Sequence, residues 1–262
     1  MKRRFAGGID VGSVTTKAVI VDAESRVLAG TVVYSATDFA LASMQAWDEC
    51  LSQAGLTSGD VDKIVSTGYG RNSVAFATKS LTEISCHGRG CLHYFPGPLT
   101  VIDIGGQDNK IIKLDGNGKR VSFKMNRKCA AGTGAFLEEM ALRLRLPLED
   151  LNHLAANADG EVTLGSYCTV FSATEVLEKI KQGHKVDHIV RGLFHSVVKR
   201  VLEMDTLTDT VVLTGGVIQH NPFLAEIVKE HTSCPVHIPP HPQVTGALGA
   251  ALYALDGVIG PH

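Results

Sequence analysis

The hydrophobic positions of this chain follow two periods, and each period predicts a kind of element. Short apolar runs of strand-like composition occupy 18–21, 27–33, 111–114, 121–123 and 211–214. Apolar residues spaced three and four apart predict helices over 40–54, 134–146 and 186–204. Ser172 and Glu175 have the spacing of a capping box, which predicts another helix starting there and ending at Gly183. The mixture predicts an α/β fold.

One segment of this pattern occurs twice. Ile9-Asp10-Val11-Gly12-Ser13 recurs as Ile102-Asp103-Ile104-Gly105-Gly106, and a lysine follows each aspartate by seven positions, at Lys17 and Lys110. Each copy continues into a predicted hairpin, with turns at 22–25 and 115–118. The repeat predicts two α/β lobes with a cleft between them. We expect the first lobe to span 1–98, completed by a C-terminal helix over 245–257, and the second to span 99–244.

Composition narrows the possible functions. The 262 residues are 44% hydrophobic and 20% charged, which suits one compact unit of one or two domains. The net charge of -2 and the scattered basic residues favour neither nucleic acid nor an anionic membrane as a partner. Neither a membrane-length apolar run nor a signal-peptide pattern is present, so we expect a cytoplasmic protein.

The repeated loops have a chemical use. Glycine N–H groups and the hydroxyls of Ser13, Thr15 and Thr16 can bind phosphate oxygens, while an aspartate can hold a hydrated Mg²⁺. A single such loop is more often an ordinary tight turn. Two copies, with a third strand and glycine pair at 211–216 that can approach an adenosine, predict a nucleotide site.

These segments also resemble a known family. GIDVGSVTTKAVIVD, VIDIGGQDNK and VVLTGG resemble the phosphate and adenosine motifs of the acetate and sugar kinase, heat-shock chaperone and actin superfamily. Within it, STGYGRNS, SCHG, NRKCAAGTGAFLEEMA, CTVFSATEV and QVTGALGAALYA resemble the iron–sulfur ATPases that activate 2-hydroxyacyl-CoA dehydratases, in the BadF/BadG/BcrA/BcrD ATPase family. The likeness covers almost the whole chain and implies two duplicated actin/ribonuclease-H-like lobes with a nucleotide cleft between them.

The resemblance also implies an activity and its cofactors. It implies an ATPase with ATP or ADP and Mg²⁺, working as a homodimer that shares one [4Fe–4S] cluster held by Cys129 and Cys168 of each chain. A ferredoxin or flavodoxin would supply electrons, and a cluster-containing dehydratase or reductase would accept them. Related proteins serve double-cubane cluster proteins or benzoyl-CoA reductases, so the client stays open.

The matched motifs assign candidate roles. The candidate catalytic residues are Asp10, Asp103 and Gln107. The candidate nucleotide-binding residues are Gly12, Ser13, Val14, Thr15, Thr16, Lys17, Gly105, Gly106, Gly132, Gly215, Gly216 and Gln243. Lys17 and Lys110 could equally be solvated lysines at strand ends.

The cysteines support the cluster hypothesis from their positions. A cubane cluster needs four ligands, and this chain has no closely spaced cysteine run, so two thiols from each of two chains would complete the set. Cys129 and Cys168 each precede a predicted helix start, where free N–H groups favour a thiolate. Either one alone would more often be a small buried hydrophobe. Cys50, Cys86, Cys91 and Cys234 are interpreted as structural residues without a cluster role.

Two other functions use the same nucleotide loops. A small-molecule kinase would keep the ATP site without the redox role, although no insertion that could form an acceptor pocket is evident. A non-enzymatic nucleotide switch or filament protein would need neither Cys129 nor Cys168.

Overall fold

The computed structural model describes residues 5–165 and 168–257. Within these residues the fold is α/β, with two five-stranded sheets and nine α-helices. The chain divides into two compact units. One contains Met1–Pro98, Leu114–Val121 and Val244–His262, and the other contains Leu99–Lys113 and Ser122–Gln243. The predicted α/β class is therefore confirmed.

The elements are numbered in chain order. The strands are β1 Phe5–Val11, β2 Thr15–Asp22, β3 Val27–Tyr34, β4 Val61–Thr67, β5 Lys79–Ser80, β6 Leu99–Ile104, β7 Asn109–Leu114, β8 Arg120–Asn126, β9 Thr210–Thr214 and β10 Val236–His237. The helices are α1 Phe39–Ala54, α2 Glu83–Tyr94, α3 Gly134–Leu144, α4 Leu151–Asn157, α5 Thr169–Lys181, α6 Val186–Leu202, α7 Gly216–His220, α8 Leu224–Glu230 and α9 Thr245–Asp256. No helix among the described residues combines the length and the hydropathy needed to cross a bilayer.

The first unit is built on a sheet of order β3-β2-β1-β4-β5. β1 is antiparallel to β2 and parallel to β4, and every residue of β1 is buried. Trp47 of α1 packs against Ile9 and Ile20 on one face of the sheet, while α9 packs on the other face against Val19. Burial on both faces explains why β1 lacks the polar alternation of a half-exposed strand.

The second unit contains a sheet of order β10-β9-β6-β7-β8, in which β6 is parallel to β9 and β9 is parallel to β10. Its core combines Ile102 and Leu213 from the strands with the apolar stripes of α3 and α6, including Phe136 and Phe194. The stripe of α6 is the one that the sequence period predicts.

Two turns show how closely the halves repeat. In the first hairpin, Asp22 N donates to Arg26 O at 3.1 Å, and Asp22 Oδ1 accepts from the N–H groups of Glu24 and Arg26. In the later hairpin, Asp115 N donates to Lys119 O at 2.9 Å, and Asp115 Oδ1 accepts from Asn117 N and Lys119 N. Each aspartate organises the same turn, as the repeated pattern predicts.

Several helix boundaries differ from the sequence pattern, and α6, for example, ends at Leu202 rather than 204. The predicted capping box at Ser172 is wrong: α5 starts at Thr169 with Cys168 as its N-cap, and Ser172 is fully buried inside the helix. The Glu175 carboxylate instead accepts from Gly165 N at 2.8 Å. Helix α3 ends at Leu144 rather than 146, because Arg145 adopts the left-handed conformation that closes it.

Candidate functional site

The loop after β1 is a tight connection built on backbone hydrogen bonds. Gly12 N donates to Thr15 O at 3.1 Å, which closes the turn between β1 and β2. Ser13 at its tip is exposed, and Thr15 is half-buried. Accessible N–H and hydroxyl groups on a tight turn are what anion binding requires.

Thr16 has a different place from Ser13 and Thr15. Its side chain is fully buried, and its hydroxyl lies 2.9 Å from that of Ser35. The Ser35 hydroxyl in turn donates to Gly12 O at 2.6 Å. Thr16 therefore stabilises the loop indirectly, because it contacts the Ser35 hydroxyl that donates to Gly12 O. No sequence motif singled out Ser35.

Asp10 lies at the end of β1 and is 3% exposed. Its Oδ2 is 3.7 Å from Lys17 Nζ, whereas its Oδ1 is buried and has no hydrogen-bond partner among the described residues. A buried carboxylate oxygen without a partner is costly unless a ligand uses it. Carboxylate oxygen is the ligand that Mg²⁺ prefers, so Asp10 fits the metal role assigned to it.

Gly68 leaves room around this carboxylate. It has φ +89°, and a Cβ there would lie 2.4 Å from Asp10 Oδ1 and 2.6 Å from Val11 O. A side chain at this position would both strain the backbone and occupy the space beside Oδ1. The STGYGRNS stretch contains this glycine, but its sequence alone did not connect Gly68 with Asp10.

The loop after β6 repeats the backbone of the first loop. Gly105 N donates to Asp108 O at 2.9 Å, the equivalent of the bond from Gly12 to Thr15. Gly106 is half-buried and Gln107 is exposed at the tip. The repeat of the sequence is therefore a repeat of local structure.

The aspartate of the second loop has different partners. Asp103 Oδ1 accepts from the Thr214 hydroxyl at 3.0 Å, and its Oδ2 lies 3.2 Å from Lys110 Nζ. Lys110 is 1% exposed and also lies 3.0 Å from Asp108 Oδ1. The reading of Lys110 as a solvated strand-end lysine is wrong, because this ammonium is buried between two carboxylates. Lys17 is 14% exposed, so its side chain is also largely covered.

The third glycine pair follows β9. Gly215 N donates to Pro242 O at 3.0 Å, and a Cβ on Gly216 would lie 3.3 Å from Gln243 Nε2. The predicted adenosine residues Gly215 and Gly216 thus lie together with the nucleotide-binding candidate Gln243 within the second unit.

The cysteine-containing segment before α3 is bound directly to the second loop. Gly134 N donates to Gly105 O at 2.9 Å, Ala135 N donates to Gly106 O at 2.8 Å, and the buried Asn109 amide donates to Gly132 O at 2.8 Å. The sequence predicts free N–H groups at the start of this helix, but these two N–H groups are not free. They hold the candidate phosphate loop and the Cys129 segment together.

The six cysteines fall into two groups. Cys129 and Cys168 are exposed, and Cys168 occupies the N-cap position of α5 without a side-chain capping hydrogen bond. Cys50, Cys86 and Cys91 are fully buried, and Cys234 is partly buried. Burial raises the pKa of the Cys50 thiol and the Cys86 thiol to about 12 each, so both stay protonated and poor metal ligands. The exposed thiols of Cys129 and Cys168 are therefore the ones that fit a surface-held cluster, and each chain would supply two of its four ligands.

The comparisons with known proteins agree with these observations. Residues 8–254 match the model of the BadF/BadG/BcrA/BcrD ATPase family. The chain is 40% identical over 252 residues to the activator of lactoyl-CoA dehydratase from Anaerotignum propionicum, covering 95% of this chain and 96% of that protein.

Two solved structures are similar over nearly their full length. Component A of (R)-2-hydroxyglutaryl-CoA dehydratase from Acidaminococcus fermentans has a TM-score of 0.92 and 37% identity, with 97% of this chain and 98% of that chain covered. The activator of 2-hydroxyisocaproyl-CoA dehydratase from Clostridium difficile, with bound ADPNP, has a TM-score of 0.91 and 38% identity, with 97% and 95% covered. The chain shares the two actin-like lobes of this fold. It belongs to the BadF/BadG/BcrA/BcrD ATPase family and is an ATP-hydrolysing enzyme.

Proposed function

We propose that this protein is an ATP-driven activator that delivers low-potential electrons to a 2-hydroxyacyl-CoA dehydratase or a related cluster enzyme. The single observation that carries the proposal is the set of three hydrogen bonds between the loop at 105–109 and the segment at 132–135. A phosphate loop joined in this way to an exposed cysteine can transmit the state of the nucleotide to whatever the thiol holds. The relatives that carry activator names support the same role.

In this proposal the loop after β1 binds phosphate and metal. Gly12, Ser13, Val14 and Thr15 offer N–H and hydroxyl donors, Lys17 adds positive charge near Asp10, and Thr16 fixes the loop through Ser35. Asp10 would hold Mg²⁺, because its buried Oδ1 has no hydrogen-bond partner among the described residues. The ion, when bound, neutralises charge on the β- and γ-phosphates and so eases attack on the γ-phosphorus.

The second loop positions the water that attacks. Asp103 is fixed by Thr214 and Lys110, so its carboxylate is oriented by a hydroxyl group and an ammonium group. Gln107 is exposed at the loop tip and can orient the water, while Gly105 and Gly106 bind phosphate. Gly215, Gly216 and Gln243 bind the adenosine, and Gly132 supports the second loop by accepting from Asn109.

The thiols are the second part of the proposal. Cys129 and Cys168 of two copies of this chain hold one [4Fe–4S] cluster, which stores and passes on one electron when it is bound. The polypeptide holds the backbone near both thiols in place. The second loop fixes the backbone before α3, and α5 starts directly at Cys168. A ferredoxin or flavodoxin is the proposed donor.

Cluster content tests the redox half of the proposal. Anaerobically purified protein should be brown, dimeric and carry about two irons per chain. Cys129→Ser and Cys168→Ser should each lose the cluster absorption, whereas the matched control Cys234→Ser, a partly buried thiol, should keep it. Colourless, iron-free protein after anaerobic reconstitution would contradict the electron-transfer role. It would instead favour the function of a small-molecule kinase.

A further inference from the structure

We propose that His195, Glu230 and His231 bind one divalent transition-metal ion, best matched by Zn²⁺. None of these residues belongs to the aspartate loops or to the cysteine pair, and the site does not depend on the proposed redox function. All of them lie in the second unit.

The three side chains come from two helices that pack against each other. His195 is in the middle of α6, Glu230 is the last residue of α8, and His231 caps that helix. One ligand atom from each residue lies within 4.8 Å of the others. The two imidazole rings are 6.5 Å apart between centroids and meet edge to face at 85°. In a tetrahedral zinc site with bonds of about 2.1 Å, ligand atoms are about 3.4 Å apart, so small side-chain rotations complete the geometry.

A fourth candidate ligand, a carboxylate oxygen, is close to this group. Glu161 Oε2 lies 2.8 Å from Nε2 of His195. That nitrogen is buried, yet it makes no hydrogen bond of acceptable geometry within the described part of the chain. A carboxylate beside a ligating imidazole is the usual arrangement at protein metal sites, either as a further ligand or as the group that orients the ring.

The charges in this group also favour a cation. Among residues 5–165 and 168–257, neither Glu161 nor Glu230 forms an ion pair with lysine or arginine. The other His and Asp group of this unit, around Asp159 and His188, is different. There Lys185 Nζ lies 3.0 and 2.9 Å from the two carboxylate oxygens of Asp159, so a side chain already supplies the positive charge.

The ligand types select the metal. Two imidazole nitrogens with one or two carboxylate oxygens suit Zn²⁺ and disfavour Mg²⁺ and Ca²⁺, which take oxygen ligands. Glu161 belongs to the stretch between α4 and α5, where Val162 N donates to His188 O at 3.1 Å. A bound ion would therefore join α6, the end of α8 and the start of the stretch that leads to Cys168.

Cobalt titration tests the site in the full-length, anaerobically purified protein. Co²⁺ should bind with one equivalent per chain, show the visible bands of a four-coordinate ion, and be displaced by one equivalent of Zn²⁺. Thiolate-to-cobalt charge transfer should be absent, because this site contains no cysteine. Zn²⁺ should also raise the midpoint of thermal unfolding.

Variants separate this group from other metal-binding side chains. His195→Ala and His231→Ala should each weaken Co²⁺ binding by about tenfold or more, and Glu161→Gln by about tenfold. The matched control is His188→Ala, in the group where Lys185 already pairs with the Asp159 carboxylate. This variant should bind Co²⁺ like the parent protein. His231 is exposed, so its substitution leaves the core intact. Absence of Co²⁺ uptake at micromolar concentrations, or uptake that both histidine variants leave unchanged, would overturn the proposal.

Discussion

The loop after β1 and the loop after β6 share a backbone but surround their aspartates differently. In the first, Asp10 keeps one buried oxygen without a partner, and its lysine is 3.7 Å away. In the second, Thr214 and Lys110 contact the two oxygens of Asp103 at 3.0 and 3.2 Å. A duplicated sequence has thus produced one carboxylate that can receive a ligand and one that is fixed within the fold. This difference supports the proposal that the first loop binds the metal and that the second orients the attacking water.

The largest expected effect is on catalysis at the first loop. Asp10→Asn removes the charge beside the unpartnered oxygen, so Mg²⁺-dependent ATP hydrolysis should fall by about 10³-fold, roughly 4 kcal/mol of barrier. Steady-state phosphate release measures it. Asp22→Asn is the matched control, because Asp22 is a buried aspartate of the same sheet that stabilises the turn between β2 and β3. This variant should keep the parent rate of ATP hydrolysis. Equal losses in both variants would mean that Asp10 acts through stability alone.

The next effect is on folding at the second loop. Lys110→Met leaves the buried Asp103 and the partly buried Asp108 without their ammonium, so the free energy of unfolding should fall by about 3–5 kcal/mol. Lys17→Met removes a pair whose atoms are 3.7 Å apart and whose lysine is 14% exposed, so it should cost less, about 1–2 kcal/mol. Denaturant titrations of both variants measure the difference. Similar losses would show that the two lysines are equivalent after all.

A smaller effect concerns the connection from the second loop to the cysteine segment. Asn109→Ala removes the buried amide that donates to Gly132 O, so each ATP hydrolysed should drive about severalfold less electron transfer. Asn126→Ala removes the bond to Cys129 O, which lies within the cysteine segment itself, and should leave that ratio unchanged. The measurement is the ratio of electrons delivered to phosphate released. An unchanged ratio in Asn109→Ala would contradict the proposed transmission.

The smallest effect compares the two hairpin turns. Ser25 and Gly118 occupy equivalent positions with φ +64° and +76°. Ser25→Gly should change the free energy of unfolding by less than about 1 kcal/mol, in the stabilising direction, because glycine adopts this conformation freely. Gly118→Ser should destabilise by more, since its Cβ would lie 2.7 Å from Leu92 Cδ1. Thermal unfolding of the pair measures both, and the reverse order would show that the turns are not equivalent.

Much of the fold could be predicted from local patterns. Helices α1 and α6 and both hairpin turns lie where period and turn residues predict them, because those features depend on neighbours in sequence. The start of α5 could not be predicted in the same way. Ser172 and Glu175 have capping-box spacing, but Glu175 bonds Gly165 N and the helix extends back to Thr169. The partner of Glu175 lies ten residues away, where capping-box spacing gives no indication of it.

The sequence by itself determined the duplicated loops, the family and the choice of Cys129 and Cys168 as candidate ligands, because repeats and motifs are written in residue order. Only the tertiary structure decided the environment of each group. It placed Gly68 beside Asp10, buried Lys110 between two carboxylates, and joined the second loop to the segment before α3. Burial and hydrogen bonding between distant segments arise from packing, and no local pattern contains them.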